Sequence, residues 1–346
     1  MMTLKEVKEK AKGRIGYCVS CDICDGRACK NIMPGPGAKG TGEVALKNYD
    51  AWQNIDLELD AIVEKAPIDT SFEFFGKKFS LPVFAGPISN IRDHYSKMYQ
   101  EQTYNEILVN GCKDAGICAF TGDGVDDEFF DMTVKVIKGC GGVGVPTIKP
   151  WGVDKMKQKL SKAEDSGAFA VSTDIDAIGL PFLQTEDNVV NSLSKDDLNK
   201  VITSTKLPFI VKGIMNVKSA KKAIEAGAKA IVVSNHGGRV LDETPATAQV
   251  LKEIADFAKG KCLVLVDGGI RSGSDVFKAL ALGADAVLIA RPFVQVVFGD
   301  GEDGIAVYIE SLKKELEDAM YMCGARKLSD ISYDMIRVGK EGSNVK

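Results

Sequence analysis

The 346-residue chain has no apolar run of about 18 residues, the length that a transmembrane helix requires. Its first residues, MMTLKEV, contain no apolar signal segment, so no signal peptide is expected. The net charge of −4 gives no basic field that would attract nucleic acid. These absences predict a cytoplasmic protein that acts on a small molecule, without a membrane or nucleic-acid partner. Histidine is also scarce, with two in the chain.

Cysteine is plentiful, and thiols in a cytosolic protein are better read as metal ligands than as disulfides. Four of the nine follow the pattern C-x2-C-x2-C-x4-C: Cys18, Cys21, Cys24 and Cys29. This approaches the ferredoxin run C-x2-C-x2-C-x3-C-P, with one extra residue and no adjacent proline. A [4Fe–4S] cluster and a closed zinc site both fit four thiolates. A reduced cysteine-rich flap or redox-active thiols are the alternative, and a cluster would suit an electron-carrier protein as partner.

Short apolar runs alternate with amphipathic segments from about residue 80 onward. Helical spacing over Val217–Ala226 and Ser274–Leu282 ends each time at a glycine, which is typical of a helix C-terminus. Continuous apolar runs of this length suit parallel strands buried on both faces. The eight runs predict a TIM (β/α)8 barrel, with a doubly wound sheet as the alternative; they cover residues 81–85, 117–120, 143–148, 168–172, 208–211, 230–233, 262–266 and 286–289.

The domain organisation follows from these runs. Residues 1–80 are predicted to form an N-terminal extension with the cysteine group and a glycine-rich stretch at 34–42. Residues 81–346 are predicted to form the barrel, with a C-terminal helix over Asp303–Cys323 packed on its outside.

Reactive side chains follow the predicted strands, and barrel enzymes build their sites at those strand ends. The segment Ser234–Arg239 follows the sixth run and combines a base, His236, with a cation, Arg239. Lys212 follows the fifth run, where its charge would act strongly on a ligand.

The loops after the seventh and eighth runs are glycine-rich and basic. They read Asp267–Gly273 and Ala290–Phe293, and they carry Arg271 and Arg291. Such loops commonly bind phosphate in TIM barrels, because glycines let backbone N–H groups approach the anion. Turn glycines with surface arginines are the alternative interpretation.

Taken together, these segments resemble the FMN-dependent α-hydroxy-acid oxidase/dehydrogenase family, which includes glycolate oxidase, lactate oxidase and flavocytochrome b2. The resemblance is dense over residues 205–293, in PFIVKGI, SNHGGRVLD, VDGGIRSGSDVFKALALGADAV and ARP. It implies oxidation of an L-lactate-like 2-hydroxy acid to the 2-oxo acid, with FMN as cofactor and a homo-oligomeric assembly.

The resemblance also implies roles for individual residues. His236 would be the base, Asp176 would orient it, Arg239 would hold the substrate carboxylate, and Lys212 would stabilise reduced flavin. The residues that would contact FMN are Pro87, Ile88, Ser89, Thr121, Lys212, Ser234, His236, Gly237, Asp267, Gly268, Gly269, Arg271, Ala290 and Arg291.

The substrate side departs from the family pattern. A Gln-x-Tyr is expected after the third strand, but the chain has Ile148–Trp151, in which Lys149 and Trp151 would take the substrate positions. No arginine lies between Asp176 and Asn199, and Pro34–Gly37 stands where a substrate tyrosine is expected. An FMN-dependent reductase or isomerase, or a non-catalytic flavin electron-transfer protein, is therefore an alternative.

Two further groups follow the first and second strands. His94 is interpreted as a loop histidine. The acidic group Asp123, Asp126, Asp127 and Glu128 is interpreted as a solvated loop rather than a metal site.

Overall fold

The structure, a computed structural model, describes residues 2–183 and 190–339. Its N-terminal part begins with helix α1 (Leu4–Ala11), where Thr3 and Glu6 form a capping box. Irregular chain leads from there to helix α2 (Glu43–Gln53). The short strand β1 (Ile55–Leu57) follows, and then a hairpin of β2 (Phe72–Phe74) and β3 (Lys77–Phe79).

Eight parallel strands then close into a barrel. Six of them are buried at every position, and β8 and β10 each have one partly exposed residue, Gly213 and Leu263, in keeping with the two-sided burial of a parallel sheet. The TIM-barrel prediction is therefore confirmed, and each strand overlaps one predicted run. The strands are β4 (Val83–Ala85), β5 (Cys118–Thr121), β6 (Val145–Ile148), β7 (Val171–Asp174), β8 (Phe209–Ile214), β9 (Ala230–Val233), β10 (Leu263–Val266) and β11 (Ala286–Ile289).

Helices connect these strands around the barrel. The two predicted helices are confirmed within a residue or two, and Gly227 and Gly283 end them with φ of +107° and +101°. The helices are α3 (Ile91–His94), α4 (Glu101–Asp114), α5 (Asp127–Gly139), α6 (Val153–Asp165), α7 (Lys195–Ile202), α8 (Val217–Glu225), α9 (Thr247–Ala258), α10 (Gly273–Ala281) and α11 (Arg291–Met322).

The C-terminal helix is present and longer than predicted. Helix α11 starts directly after β11, is interrupted at Asp300 and Gly301, and packs against α1, α4 and α10. The predicted segment is the part of α11 beyond this interruption. No helix in 2–183 and 190–339 has the length and hydropathy to cross a bilayer.

Phenylalanines close the N-terminal end of the barrel. The hairpin supplies Phe74 and Phe79, whose ring centroids lie 5.1 and 5.2 Å from that of Phe84 on β4. This apolar plug leaves the opposite end, where the strands finish, as the place for a site.

The N-terminal extension contributes to that opposite end. Trp52 on α2 donates its indole N–H to the carbonyl of Gly268 at 2.7 Å. The buried side chains of Asn48 and Asn235 exchange two hydrogen bonds, at 2.8 and 2.9 Å. Further along, β1 pairs antiparallel with the last strand, β12 (Ile336–Val338). Part of the extension therefore forms a wall of the barrel mouth.

Candidate active site

A cavity opens at the C-terminal end of the barrel strands, where barrel enzymes build their sites. We call it the main cavity. Most of the predicted site residues lie in its wall: Pro87, Ile88, Ser89, Lys149, Lys212, His236, Gly237, Arg239, Asp267, Gly268, Gly269, Arg271, Ala290 and Arg291.

His236 is held by Asp176, at 3.0 Å between Nδ1 and Oδ1. Gly213 permits this approach, because a Cβ there would lie 2.7 Å from the Asp176 carboxyl carbon. Burial raises the pKa of Asp176, but the charges of His236 and Lys212 outweigh it and hold that pKa at about 2. The ionised carboxylate only accepts, so Nδ1 carries the proton and donates. Burial, reinforced by Lys212, keeps the pKa of His236 below its ordinary value although Asp176 opposes the shift.

Lys212 lies near the C-terminal end of β8, lines the main cavity and is 3% exposed. Its Nζ is 3.5 Å from an oxygen of Asp267. Burial lowers the pKa of Lys212, but Asp267, Asp176 and Asp174 together raise it above the ordinary value. A fixed positive charge therefore stands beside the histidine.

Lys149 is also in the wall, but its charge is already matched. Its Nζ contacts Asp174 Oδ2 at 2.6 Å, and both side chains are at most 10% exposed. The same Asp174 oxygen lies 3.9 Å from His236 Nε2. Sequence reasoning missed Asp174; its signal was its position just after the predicted fourth strand, which in the structure extends to include it.

Trp151 does not line the main cavity, contrary to its predicted substrate position. Its indole N–H donates to Asp123 Oδ2 at 2.7 Å, and the backbone N–H of Lys149 donates to the same oxygen at 3.0 Å. Lys159 contacts the other oxygen of Asp123 at 3.0 Å. The ring is thus engaged in holding the loops after β5 and β6.

The interpretation of the acidic loop as solvated is wrong for Asp123 and right for its neighbours. Asp123 is 1% exposed, and burial raises its pKa although Lys159 opposes the shift. Asp126, Asp127 and Glu128 are exposed, and Asp126 caps α5 through the backbone N–H of Glu128. The sequence could not distinguish Asp123 from its acidic neighbours, because the compensating Lys159 lies on α6, 36 residues later in the chain.

The phosphate end of the site is built on two glycines with positive φ, Gly268 at +89° and Gly269 at +85°. A Cβ on Gly269 would lie 2.1 Å from the carbonyl oxygen of Asn48. Asp267 Oδ1 and Arg271 Nη2 are buried here without a hydrogen-bond partner in the part of the chain that the structure describes. Arg291 lies alongside and donates to the Pro36 carbonyl at 3.3 Å. The unpartnered N–H donor of Arg271 beside a glycine cradle suits a phosphate, whereas Asp267 Oδ1 is an acceptor.

Arg239 faces the main cavity and also binds the N-terminal extension. Its Nη1 donates to the carbonyls of Gly35 and Gly37, the latter at 3.0 Å. Burial lowers the pKa of Arg239, although a guanidinium keeps its charge in proteins. The guanidinium predicted to hold a substrate carboxylate therefore faces the cavity, and the glycine-rich loop engages part of its donor set.

Two aromatic residues complete the wall: His94, the last residue of α3, and Tyr95, which follows it. His94 is 6% exposed and packs against Phe182, with ring centroids 5.0 Å apart. Burial, with a contribution from Arg239, lowers the pKa of His94 to about 4. The loop interpretation of His94 is thus wrong. Tyr95, 5% exposed, gives the cavity a tyrosine from a different element than the family pattern suggests.

Three other predicted residues lie outside the cavity wall. Asp176 acts from behind His236, and the Ser234 hydroxyl accepts the backbone N–H of His236 at 3.1 Å. Thr121 at the end of β5 is fully buried, and its hydroxyl has no partner among the described residues.

The four clustered cysteines line a second, smaller cavity. Tyr95 and Arg291 belong to the walls of both cavities. None of the four thiols is in a disulfide. Burial raises the pKa of Cys18 to about 12.

Comparison with known proteins places this arrangement in a family. A family model described as FMN-dependent dehydrogenase matches residues 36–181 and 182–338. Peroxisomal (S)-2-hydroxyacid oxidase GLO3 of Arabidopsis thaliana is 30% identical over 330 residues, which cover 85% of this chain and 88% of that protein. The 4-hydroxymandelate oxidase of Amycolatopsis orientalis is 29% identical, over 87% of this chain and 94% of its own.

A solved structure extends the comparison to the fold. Mandelate oxidase with (S)-4-hydroxymandelic acid superposes with a TM-score of 0.78 at 25% identity, over 98% of this chain and 99% of that one. The cofactor named by the family model also fits the residues present, because the glycine cradle, the unpartnered donor of Arg271 and the cation Arg291 suit the phosphate of FMN. The chain therefore belongs to the FMN-dependent dehydrogenase family and is an FMN-dependent oxidoreductase.

Proposed function

We propose that this enzyme oxidises a 2-hydroxy acid, of the size of L-lactate, to the corresponding 2-oxo acid. The observation that carries the proposal is the Asp176–His236 pair beside Lys212 and Arg239 at the mouth of the barrel. It joins a base, a fixed positive charge and a carboxylate contact in one cavity. The relatives that are named 2-hydroxyacid and 4-hydroxymandelate oxidases support the same reaction class.

His236 is the base in this proposal. Its lowered pKa keeps the ring neutral near pH 7, and the proton on Nδ1 leaves Nε2 free to take the proton of the substrate hydroxyl. Asp176 then stabilises the charged imidazolium and holds its orientation. FMN, when bound, would accept the two electrons and the hydrogen that leave with cleavage of the substrate Cα–H bond.

The residues that would hold FMN divide between its two ends. Arg271, Arg291 and the backbone of Gly268 and Gly269 would bind the phosphate. Lys212 would lie near the flavin edge and stabilise negative charge there. The ring would lie against the residues after β4 and β11: Pro87, Ile88, Ser89 and Ala290.

The charges around His236 also suggest the substrate class. Arg239 provides the carboxylate contact, whereas Lys149 is neutralised by Asp174 and adds little for an anion. The second carboxylate of a dicarboxylic substrate, if it lay near His236 Nε2, would be repelled by Asp174, whose Oδ2 is 3.9 Å from that nitrogen. We therefore propose a monocarboxylic 2-hydroxy acid and discrimination against dicarboxylic ones such as malate.

Anaerobic flavin reduction tests the proposal. Oxidised holoenzyme is mixed with a panel of mono- and dicarboxylic 2-hydroxy acids, and the flavin absorbance is followed. At least one monocarboxylic acid should bleach the flavin, and His236→Ala should abolish bleaching while FMN stays bound. The exposed Asp131→Ala serves as the control. No bleaching by any acid, together with reduction by NAD(P)H, would overturn the proposal in favour of a reductase.

The electron-carrier partner, the homo-oligomeric state and the cytoplasmic location stay predictions from the sequence.

A further inference from the structure

The second cavity, which we call the cysteine cavity, holds all four clustered thiols in its wall. The cysteines come from the irregular chain between α1 and α2, where no regular element forces them together. The remaining polar side chains in the wall come from the barrel side: Tyr95, Arg291 and Gln295. The wall thus offers four sulfur ligands with neither a histidine nor a carboxylate among them.

The backbone of this segment is held from outside, and its side chains turn inward. Arg271 Nε donates to the carbonyl of Cys24 at 2.6 Å, and Gln295 Nε2 donates to the carbonyl of Cys21 at 3.2 Å. Ser20 and Gly26 take positive φ values of +50° and +91°, which bend the chain around the cavity. Lys8 on α1 donates to the carbonyl of Asp22 at 2.7 Å. The barrel and α1 therefore position a loop that would otherwise have no reason to enclose a cavity.

The spacing of the sulfur atoms indicates what the cavity would hold. Four thiolates around one zinc ion, with Zn–S of about 2.3 Å, stand roughly 3.8 Å apart. No three of these four thiols, all of which the structure describes, have sulfurs within 4.8 Å of one another. The sulfurs therefore stand wider than those of a closed zinc site, in the direction of a cube of four irons and four sulfides, which holds its thiolates further apart.

We propose that Cys18, Cys21, Cys24 and Cys29 bind a [4Fe–4S] cluster in the cysteine cavity. Four thiolates with an oxidised cluster carry net negative charge, and the Arg291 guanidinium in the wall supplies a compensating cation. Binding releases the four thiol protons and changes no oxidation state. This assignment concerns the N-terminal segment and is independent of which substrate the main cavity takes.

The cluster also has a consequence for the flavin side. Arg291 lines both cavities, and Arg271 holds Cys24 through one nitrogen while its Nη2 points unpartnered at the phosphate end. Loss of the cluster should therefore weaken FMN binding as well. A merely adjacent loop would leave FMN content unchanged.

The test begins with the wild-type chain, purified without oxygen and analysed for iron, acid-labile sulfide and zinc. About four irons and four sulfides per chain are expected, with an electron paramagnetic resonance signal after dithionite reduction. One zinc per chain without sulfide would overturn the proposal. Metal-free protein that also fails to take up iron and sulfide during anaerobic reconstitution would overturn it equally.

Variants then assign the ligands. Each of Cys18→Ser, Cys21→Ser, Cys24→Ser and Cys29→Ser should lose most iron and sulfide and retain less FMN, whereas Cys262→Ser, a thiol elsewhere in the chain, should match wild type. Because a ligand variant can fail to fold, circular dichroism accompanies each analysis, and the wild-type stoichiometry decides independently. Full cluster content in folded Cys18→Ser and Cys24→Ser proteins would contradict the ligand set.

Discussion

Asp176 and Asp174 lie on opposite sides of the His236 ring, 3.0 Å from Nδ1 and 3.9 Å from Nε2. The two carboxylates differ in their second partners, because Asp174 pairs with Lys149, whereas no lysine or arginine of residues 2–183 and 190–339 forms an ion pair with Asp176. Asp176 is therefore the group that sets the tautomer of the histidine.

Replacing Asp176 with Asn should move the acid limb of the pH–rate profile to lower pH. His236 is active when deprotonated, and its pKa is already below the ordinary value. In wild type the rate should therefore fall as pH decreases through a value below about 6.5. Asp176 raises the pKa of His236, so Asp176→Asn should shift that fall to lower pH.

The same change should also lower the maximal rate of flavin reduction by about 10²-fold or more, because orientation and charge stabilisation of the base are lost. Anaerobic stopped-flow measurements from pH 4.5 to 8 give both quantities. Asp131→Asn, an exposed carboxylate, is the control. An acid limb at the wild-type position in Asp176→Asn would show that Asp176 does not act on the histidine.

Asp123→Ala should strongly destabilise the protein, because Asp123 is the buried carboxylate that holds Trp151, Lys159 and the backbone of Lys149. It removes the buried partner of the Lys159 ammonium, which keeps only the exposed Asp127, and breaking such a buried pair costs up to about 3–5 kcal/mol. Asp131→Ala breaks the exposed pair with Lys162 and should cost about 0–1 kcal/mol. Urea unfolding monitored by fluorescence compares them; equal losses would contradict a structural role for Asp123.

Gly269→Ala should detach FMN. The added Cβ would meet the Asn48 carbonyl at 2.1 Å and push α2 away from the phosphate loop. Gly260→Ala is matched, since its φ of +74° imposes similar strain, about 1–2 kcal/mol, but its Cβ meets nothing within 4 Å. Fluorescence titration of the apoproteins should show FMN affinity reduced at least tenfold, about 1.4 kcal/mol, for Gly269→Ala alone. Similar affinities in the two variants would mean that the contact with Asn48 is unimportant.

His94 should make the protein less stable in acid. Its folded pKa of about 4 lies below the unfolded value near 6.5, so the unfolded chain takes up the proton first. The contribution of neutral His94 to the free energy of unfolding is fully present above about pH 6.5. It is lost as the pH falls towards 4, and the loss is at most about 3 kcal/mol.

His94→Phe, which keeps a ring against Phe182, removes this dependence. Thermal unfolding at pH 7 and pH 4.5 should show a smaller difference in Tm for the variant than for wild type. An unchanged difference would mean that His94 is protonated in the folded protein.

The strands and the glycine turns that follow them were predictable because their signals are local. Runs such as 230–233 are buried on both faces and must be apolar throughout, and the glycines at 268 and 269 are required by a close backbone approach. His236 and Lys212 could be located for the same reason, since each follows a recognisable strand.

What could not be predicted depends on partners distant in sequence. Asp123 is buried because Lys159 reaches it from α6, and Trp151 is drawn from the cavity by the same carboxylate. From the sequence, Lys149 looked available to bind an anionic substrate, but in the structure its charge is matched by Asp174. No pattern of spacing reveals such pairs, because the barrel closure brings them together.

The contacts of α2 constrain the order in which this molecule can mature as it is synthesised. Trp52 and Asn48 emerge early from the ribosome, yet their partners at Gly268 and Asn235 are made some two hundred residues later. Strand β1, which follows α2, can pair only after almost the whole chain has been synthesised, since the partner of Ile55 is Val338. The turn at Gly268 and Gly269 is therefore a late product of translation, and a nascent chain arrested before residue 268 lacks the loop that we propose to hold the phosphate of FMN.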